Sequence, residues 1–238
     1  MQKGQIVKVT GGFYYVDTGQ EVVEAKPRGL FRKDGTSPYV GDFVTMEDTD
    51  DHEGVSIITK IEPRKNFLVR PPLANLDYMV VVVSTTDPAP NYVTLDKLLA
   101  TLEFQYIPAM LAVTKTDLAS AEEIVEIYTK TGYPVFVIDY DKPETLELFA
   151  KELSGKLSAF AGNSGVGKST ILNALEPSLD IEVGETSQKL GRGRHTTRHV
   201  EIYTLDNNLK IADTPGFSTF DLMQTGTISE ETLRDCFI

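Results

Sequence analysis

At 238 residues, 41% of them hydrophobic and 24% charged, the chain has the make-up of a soluble globular protein with one large or two small domains. Its longest apolar run, near Met79–Val83, is too short to span a membrane, and an N-terminus with no basic or apolar leader predicts no secretion. A net charge of −12 excludes a uniformly basic nucleic-acid binder, and the single Cys236 excludes an internal disulfide framework and predicts a reducing, cytoplasmic setting.

The first stretch alternates apolar runs with turn signals. Gln5–Thr10 ends at Gly11-Gly12, Phe13–Asp17 at Thr18-Gly19, and Glu21–Ala25, Asp42–Met46 and Val55–Glu62 follow. Short strands between glycine turns predict a five-stranded barrel of the oligonucleotide-binding type over residues 1–66. Phe13, Tyr14 and Tyr15 are candidates to stack on RNA bases, with Phe13 and Tyr15 expected in the core. The charge is also uneven, since residues 1–68 carry 9 Lys/Arg against 11 Asp/Glu. Lys26, Arg28, Arg32 and Lys33 cluster there, as do Arg64, Lys65 and Arg70, and later Lys189, Arg192, Arg194 and Arg198. Such local basic faces can meet phosphate despite the acidic total. The acidic run 47–53 is read as a solvated loop.

Beyond Pro63 and Pro71-Pro72 the pattern changes to alternating strands and helices. Strands are predicted at Tyr78–Ser84, Ala109–Thr114, Pro134–Asp139 and Leu157–Ala161. Helices are predicted at about Thr94–Gln105, after a capping box Ser120-x-x-Glu123, near Pro143 and from Lys168. Val200–Leu205 and Leu209–Ala212 suit a hairpin. This is a doubly wound α/β domain, expected over 67–228, with 229–238 opening a C-terminal extension.

Gly162-Asn163-Ser164-Gly165-Val166-Gly167-Lys168-Ser169 follows a strand and opens a helix, as a phosphate-binding loop must. Its glycines let backbone N–H groups face phosphates, Lys168 is expected to bridge the β- and γ-phosphates, and Ser169 to ligate Mg²⁺. The nucleotide-binding set runs on to Thr170. Downstream, Asp213-Thr214-Pro215-Gly216 ends a strand; Asp213 suits Mg²⁺, through water, and the Gly216 N–H suits the γ-phosphate. Thr114-Lys115-Thr116-Asp117 ends another strand, where the Asp117 carboxylate can accept two hydrogen bonds from guanine and the Lys115 stem can lie against the base. A guanine O6 contact is expected near Asp139, although the usual small residues are absent there. Because the guanine motif precedes the phosphate loop, the domain is read as a circularly permuted P-loop GTPase binding GTP or GDP with Mg²⁺. The loop Gly191–Arg198 stands where the first switch belongs, with Thr197, chosen over Thr196, as a further Mg²⁺ ligand. Phe217 replaces the water-orienting glutamine, which leaves His195 as the candidate catalytic group.

Together these residues resemble the ribosome small-subunit-dependent GTPase A family of bacteria. The carrying features are the barrel, the permuted motif order, Gly193-Arg194-His195-Thr196-Thr197-Arg198, Asp213–Phe217, and the linker Arg64-x-Asn66-x-Leu68-x-Arg70-Pro71 with Ala74-Asn75-x-Asp77. The resemblance implies a cytoplasmic, monomeric, membrane-free GTPase, slow alone and stimulated by the small ribosomal subunit, binding rRNA late in maturation and leaving after hydrolysis. By the same resemblance His195 is the proposed catalytic residue. The family continues into a zinc-binding helical domain, so zinc is expected only there, and Cys236 is not read as a ligand. The competing readings are a permuted GTPase acting on the large subunit, and an RNA-binding module whose nucleotide is structural.

Overall fold

A computed structural model describes residues 1–29, 31, 36–48, 55–179, 200–205, 208–213 and 236. Five strands close the N-terminal barrel: β1 (Gln2–Thr10), β2 (Phe13–Asp17), β3 (Val22–Pro27), β4 (Phe43–Glu47) and β5 (Ser56–Ile61). β1 pairs with β2 on one side and β4 on the other, β2 pairs with β3, β3 runs parallel to β5, and β5 returns to β4. Closure leaves no barrel edge open. Period-two alternation turns Ile6, Val16, Ala25, Val44, Met46 and Ile58 inward, all essentially inaccessible. The same alternation corrects the aromatic assignment. Tyr14 shares the Val16 face and packs on the core, whereas Phe13 and Tyr15 do not. They share their face with Asp17; Lys26 lies 4.7 Å from the Phe13 ring centre, and Glu24 is bonded to the Tyr15 hydroxyl.

A short hairpin that the sequence reading did not include, β6 (Phe67–Leu68) with β7 (Leu73–Ala74), joins barrel to second domain. The polar residues flanking it are committed to both sides. Arg64 grips the buried Asp42 carboxylate with two bonds of 2.7 Å, and Asn75 Nδ2 donates to the Gly41 carbonyl at 3.0 Å. Asn66 Nδ2 donates to the carbonyls of Leu76 (2.9 Å) and Tyr106 (3.1 Å). Gly41 must be glycine: at φ +91° a Cβ would lie 2.0 Å from the Ala74 carbonyl oxygen.

The second domain runs β8 (Tyr78–Ser84), α1 (Tyr92–Phe104), β9 (Ala109–Thr114), α2 (Glu122–Lys130), β10 (Val135–Val137), α3 (Pro143–Leu153), β11 (Leu157–Ala161), α4 (Lys168–Leu175), β12 (Glu201–Thr204) and β13 (Lys210–Asp213). The sheet order is β10-β9-β8-β11-β13-β12, parallel except for β12. β8 is buried on both faces, Val81 and Val83 in one core cluster and Val80 and Val82 in the other, which explains its unbroken apolar run. Helix α1 starts at Tyr92 rather than Thr94 because the Asn91 side chain caps it, accepting the Thr94 N–H at 3.0 Å. The expected capping box at α2 is not made, and the helix is preceded by Ala121 with no side-chain cap. Ser120 Oγ accepts the Glu122 N–H at 3.2 Å, but Glu123 bonds the Tyr92 hydroxyl instead of reaching back. β10 is shorter than predicted because Pro134 has no N–H to give, although its carbonyl accepts the Leu111 N–H at 2.9 Å, and Asp139 joins the turn before α3.

The permuted order is resolved by the connection through α3, which carries the chain from β10, an edge strand, back to β11 in the middle. The joint is tight. Gly155 N–H donates to the Asn208 carbonyl at 2.8 Å and Ser154 bridges Leu209, so the turn between β12 and β13 holds it.

Candidate active site

Parallel strands aim their carboxyl ends at one edge of the sheet, and the motifs assemble there. Ser84 and Thr114 stand in register at the ends of β8 and β9, β11 ends level with Val81, and β13 ends at Asp213 beside it. The loop after β11 therefore turns directly over β8. Gly162 is required at this crossing, since its φ is +151° and a Cβ would lie 2.5 Å from the Val82 carbonyl oxygen.

The loop curls through Asn163, Ser164, Gly165 and Val166 to Gly167, then enters α4 at Lys168. Lys168 Nζ lies across the mouth, donating to the Gly162 and Asn163 carbonyls at 2.7 Å each. Burial pushes its pKa down, a cost to the charged ammonium that an anionic ligand would offset. Ser169 and Thr170 sit half-buried in the first turn of α4, where N–H groups lack helical partners. With Asp213 ending the neighbouring strand, a cation, the N–H groups of a helix start, a hydroxyl and a carboxylate lie at one end of the sheet. That donor set fits a phosphate carried with a hard divalent cation.

The guanine motif lies alongside. Thr114 is 1% exposed and its Oγ1 donates to the Val166 carbonyl at 2.6 Å, so it fastens the phosphate loop to β9 rather than facing a ligand. Lys115 has a left-handed backbone, φ +57°, and its Nζ donates to the Asp87 carbonyl. Thr116 Oγ1 donates to the Ile138 carbonyl at 3.3 Å. Asp117 is exposed and its carboxylate has no partner among the described residues, which leaves both oxygens open to a ligand. The guanine O6 contact is expected near Asp139. Its N–H is spent on Thr145 Oγ1 at 3.1 Å, and its carboxylate, held below the ordinary value by Lys142 and the Asp141 N–H, is tied into the turn.

Thus Thr114, Lys115, Asp117, residues 162–170 and Asp213 come together at one edge. His195, Thr197, Gly216 and Phe217 lie outside the described residues, as do Arg32, Lys33 and the basic run 189–198. No cluster of His, Cys, Asp or Glu suited to a metal occurs among the described residues, and no described helix is long and apolar enough to cross a membrane. Sequence reasoning missed the loop between β8 and α1, whose Thr85 and Asp87 touch the guanine motif. Its only sequence signal was position, directly after a strand that ends at the site.

The arrangement has known counterparts. The family model described as RsgA GTPase matches residues 61–223, and that described as RsgA N-terminal domain matches 3–56. The small ribosomal subunit biogenesis GTPase RsgA of Alkaliphilus metalliredigens is 43% identical over 241 residues, covering 100% of this chain and 82% of the relative. The protein of the same name from Streptococcus pneumoniae is 45% identical over 219 residues, covering 92% of this chain and 73% of its own. Among solved structures, YjeQ from Thermotoga maritima aligns with a TM-score of 0.78 at 27% identity, covering 99% of this chain and 81% of its own. YloQ, a circularly permuted GTPase, aligns with a TM-score of 0.75 at 32% identity, covering 100% and 78%. A closed five-stranded barrel, a permuted sheet order and matches of this extent lead to one assignment: the chain belongs to the RsgA GTPase family.

Proposed function

We propose that this protein hydrolyses GTP in the maturation of the small ribosomal subunit, binding rRNA through the barrel of residues 1–66 and nucleotide through residues 67–228. The observation that carries the reading is the Thr114–Val166 bond, which seats the guanine motif against the phosphate loop although the two come in reversed order along the chain. Membership in a family whose relatives are named for small-subunit biogenesis supplies the setting.

In this reading Lys168 and the N–H groups of the loop bind the β- and γ-phosphates, and Asp117 accepts the guanine N1–H and amino group while the Lys115 stem lies against the base. Ser169, Asp213 and Thr197 would hold Mg²⁺, Asp213 through water. When bound, the ion supplies charge neutralisation for the phosphates. His195 holds the attacking water where Phe217 cannot, and the Gly216 N–H meets the γ-phosphate. With the Asp139 N–H occupied, the Tyr140 N–H, which has no partner among the described residues, is the donor left for guanine O6. The protein acts as a cytoplasmic monomer.

The test is GTP turnover by the chain alone, with purified small subunits, and with large subunits as control. Stimulation by small subunits only, lost in Lys168→Ala and reduced in His195→Ala without loss of GTP binding, is the expected result. Stimulation by large subunits, or tight GTP binding with no turnover under any condition, would replace this reading with one of its competitors.

A further inference from the structure

The loop from Ser84 to Asn91 carries no nucleotide motif, yet it threads between the two halves of the site. Thr85 N–H donates to the Thr114 carbonyl at 3.1 Å, and Thr85 Oγ1 donates to the Lys115 carbonyl at 2.7 Å. Two residues on, the Asp87 carbonyl receives Lys115 Nζ. The loop is itself pinned from below, where the fully buried Ser84 donates to the Pro88 carbonyl at 2.7 Å. Pro88 also packs towards the phosphate loop, since a Cβ placed on Gly165 would meet its Cδ at 3.8 Å.

Lys115 needs such support. A residue with a Cβ at φ +57° sits in a left-handed conformation that is strained and persists only where its surroundings dictate it. Here the backbone carbonyl is held by Thr85 together with the Leu118 N–H at 3.0 Å, and the side-chain tip by Asp87. The first sets the direction in which the chain leaves Lys115 for Asp117. The second stretches the lysine stem along one line in place of a free rotor. Asp87 is itself left-handed, φ +42°, which turns its carbonyl towards the lysine.

We infer that Thr85 is a specificity-determining positioning residue for guanine, and that Asp87 acts with it through its carbonyl. The inference rests on the reading of Lys115 and Asp117 as the base-recognition pair. A pre-formed Lys115–Asp117 geometry spares the ligand the ordering of both side chains, so the gain appears in binding of the base and not of the phosphates.

The experiment separates base from phosphate. Equilibrium binding of GDP and of inorganic pyrophosphate is measured for the wild type, Thr85→Val, which keeps the volume and deletes the hydroxyl, and Thr85→Ser, which keeps the hydroxyl. The expected result is about tenfold weaker GDP binding in Thr85→Val, the worth of one hydrogen bond, with pyrophosphate within twofold and GDP affinity restored in Thr85→Ser. Lys115→Met should then add less in the Thr85→Val background than alone, because both act on one element. Unchanged GDP binding in Thr85→Val overturns the inference, and so does an equal loss for GDP and pyrophosphate, which marks a merely structural role. Asp117→Asn with GDP and XDP serves as the independent control. If it fails to shift preference towards XDP, the base-recognition reading itself is wrong and the role of Thr85 falls with it.

Discussion

Thr114 differs from the other residues of its motif in having no freedom left to meet a ligand. Its hydroxyl donates to the Val166 carbonyl at 2.6 Å from a position 1% exposed. Thr114→Val keeps the shape and leaves a buried carbonyl without its donor, a loss of about 1–3 kcal/mol. Since the bond holds the phosphate loop against the strand that presents Lys115 and Asp117, GDP and pyrophosphate should weaken together, by about tenfold or more, in titrations of the variant. A loss confined to GDP would mean that the loop stands without this bond. At this scale the sequence was most legible where chemistry is local. Gly162 to Ser169 and Thr114 to Asp117 each satisfy their demands within a few residues, so the pattern is visible in the string. Thr85 and Asp87 act on Lys115 across 30 and 28 positions. No local pattern marks a threonine whose partner is a carbonyl that far along the chain.

Among the elements, α1 and α2 are joined by hydrogen bonds from tyrosines to carboxylates. Tyr128 donates to Asp96 at 2.8 Å, and Tyr92 is bonded to Glu123; a third such bond, Tyr133 to Glu103, secures the start of β10 against α1. Burial first, and then the neighbouring carboxylate, pushes the Tyr128 hydroxyl well above its ordinary value of 10.0. The fold thus favours the neutral phenol. That stability is complete below about pH 10 and is lost as pH rises above it towards the folded value. Tyr128→Phe should cost about 1 kcal/mol at neutral pH and should flatten the loss seen above pH 10, as read from urea midpoints at pH 7, 9 and 10.5. An unchanged alkaline limb would assign it to other groups. Element types were legible because their periods differ, two in the barrel and continuous apolar runs in the sheet. Faces and ends were less so. The aromatic run 13–15 was assigned to the wrong face although Asp17 shares the side of Phe13 and Tyr15, and a charged residue at that spacing marks solvent. Asn91 preceded Tyr92 in plain view, but the expected helix began only at about Thr94 and left that cap unread.

Over the whole molecule, barrel and sheet share one core. A single cluster runs from Ile6 and Met46 in the barrel to Leu98 and Val113 in the second domain. The backbone continues the same connection, because β1 leaves β4 after Gln5 and pairs at Lys8 with Glu201 of β12, reinforced by an ion pair of 2.9 Å. β12 follows His195 and Thr197 within a few residues, so the barrel is hydrogen-bonded to the strand next to the proposed first switch. A rigid seam would carry a change in that segment into the barrel, and a loose one would absorb it. Arg64 offers a way to loosen the barrel's end of the linker, where it is bound to a carboxylate that is 0% exposed. Arg64→Ala leaves the Asp42 charge buried without its cation and should cost about 3 kcal/mol in chemical denaturation. GDP affinity and unstimulated turnover should stay within twofold of wild type, because Arg64 is bonded to Asp42 and Ser37 of the barrel. Stimulation by small subunits should fall several-fold if barrel and switch communicate through this connection. Undiminished stimulation in a variant shown to have lost the stability would place the communication elsewhere, and the barrel would then act as an anchor that holds the GTPase on its partner without signalling to it.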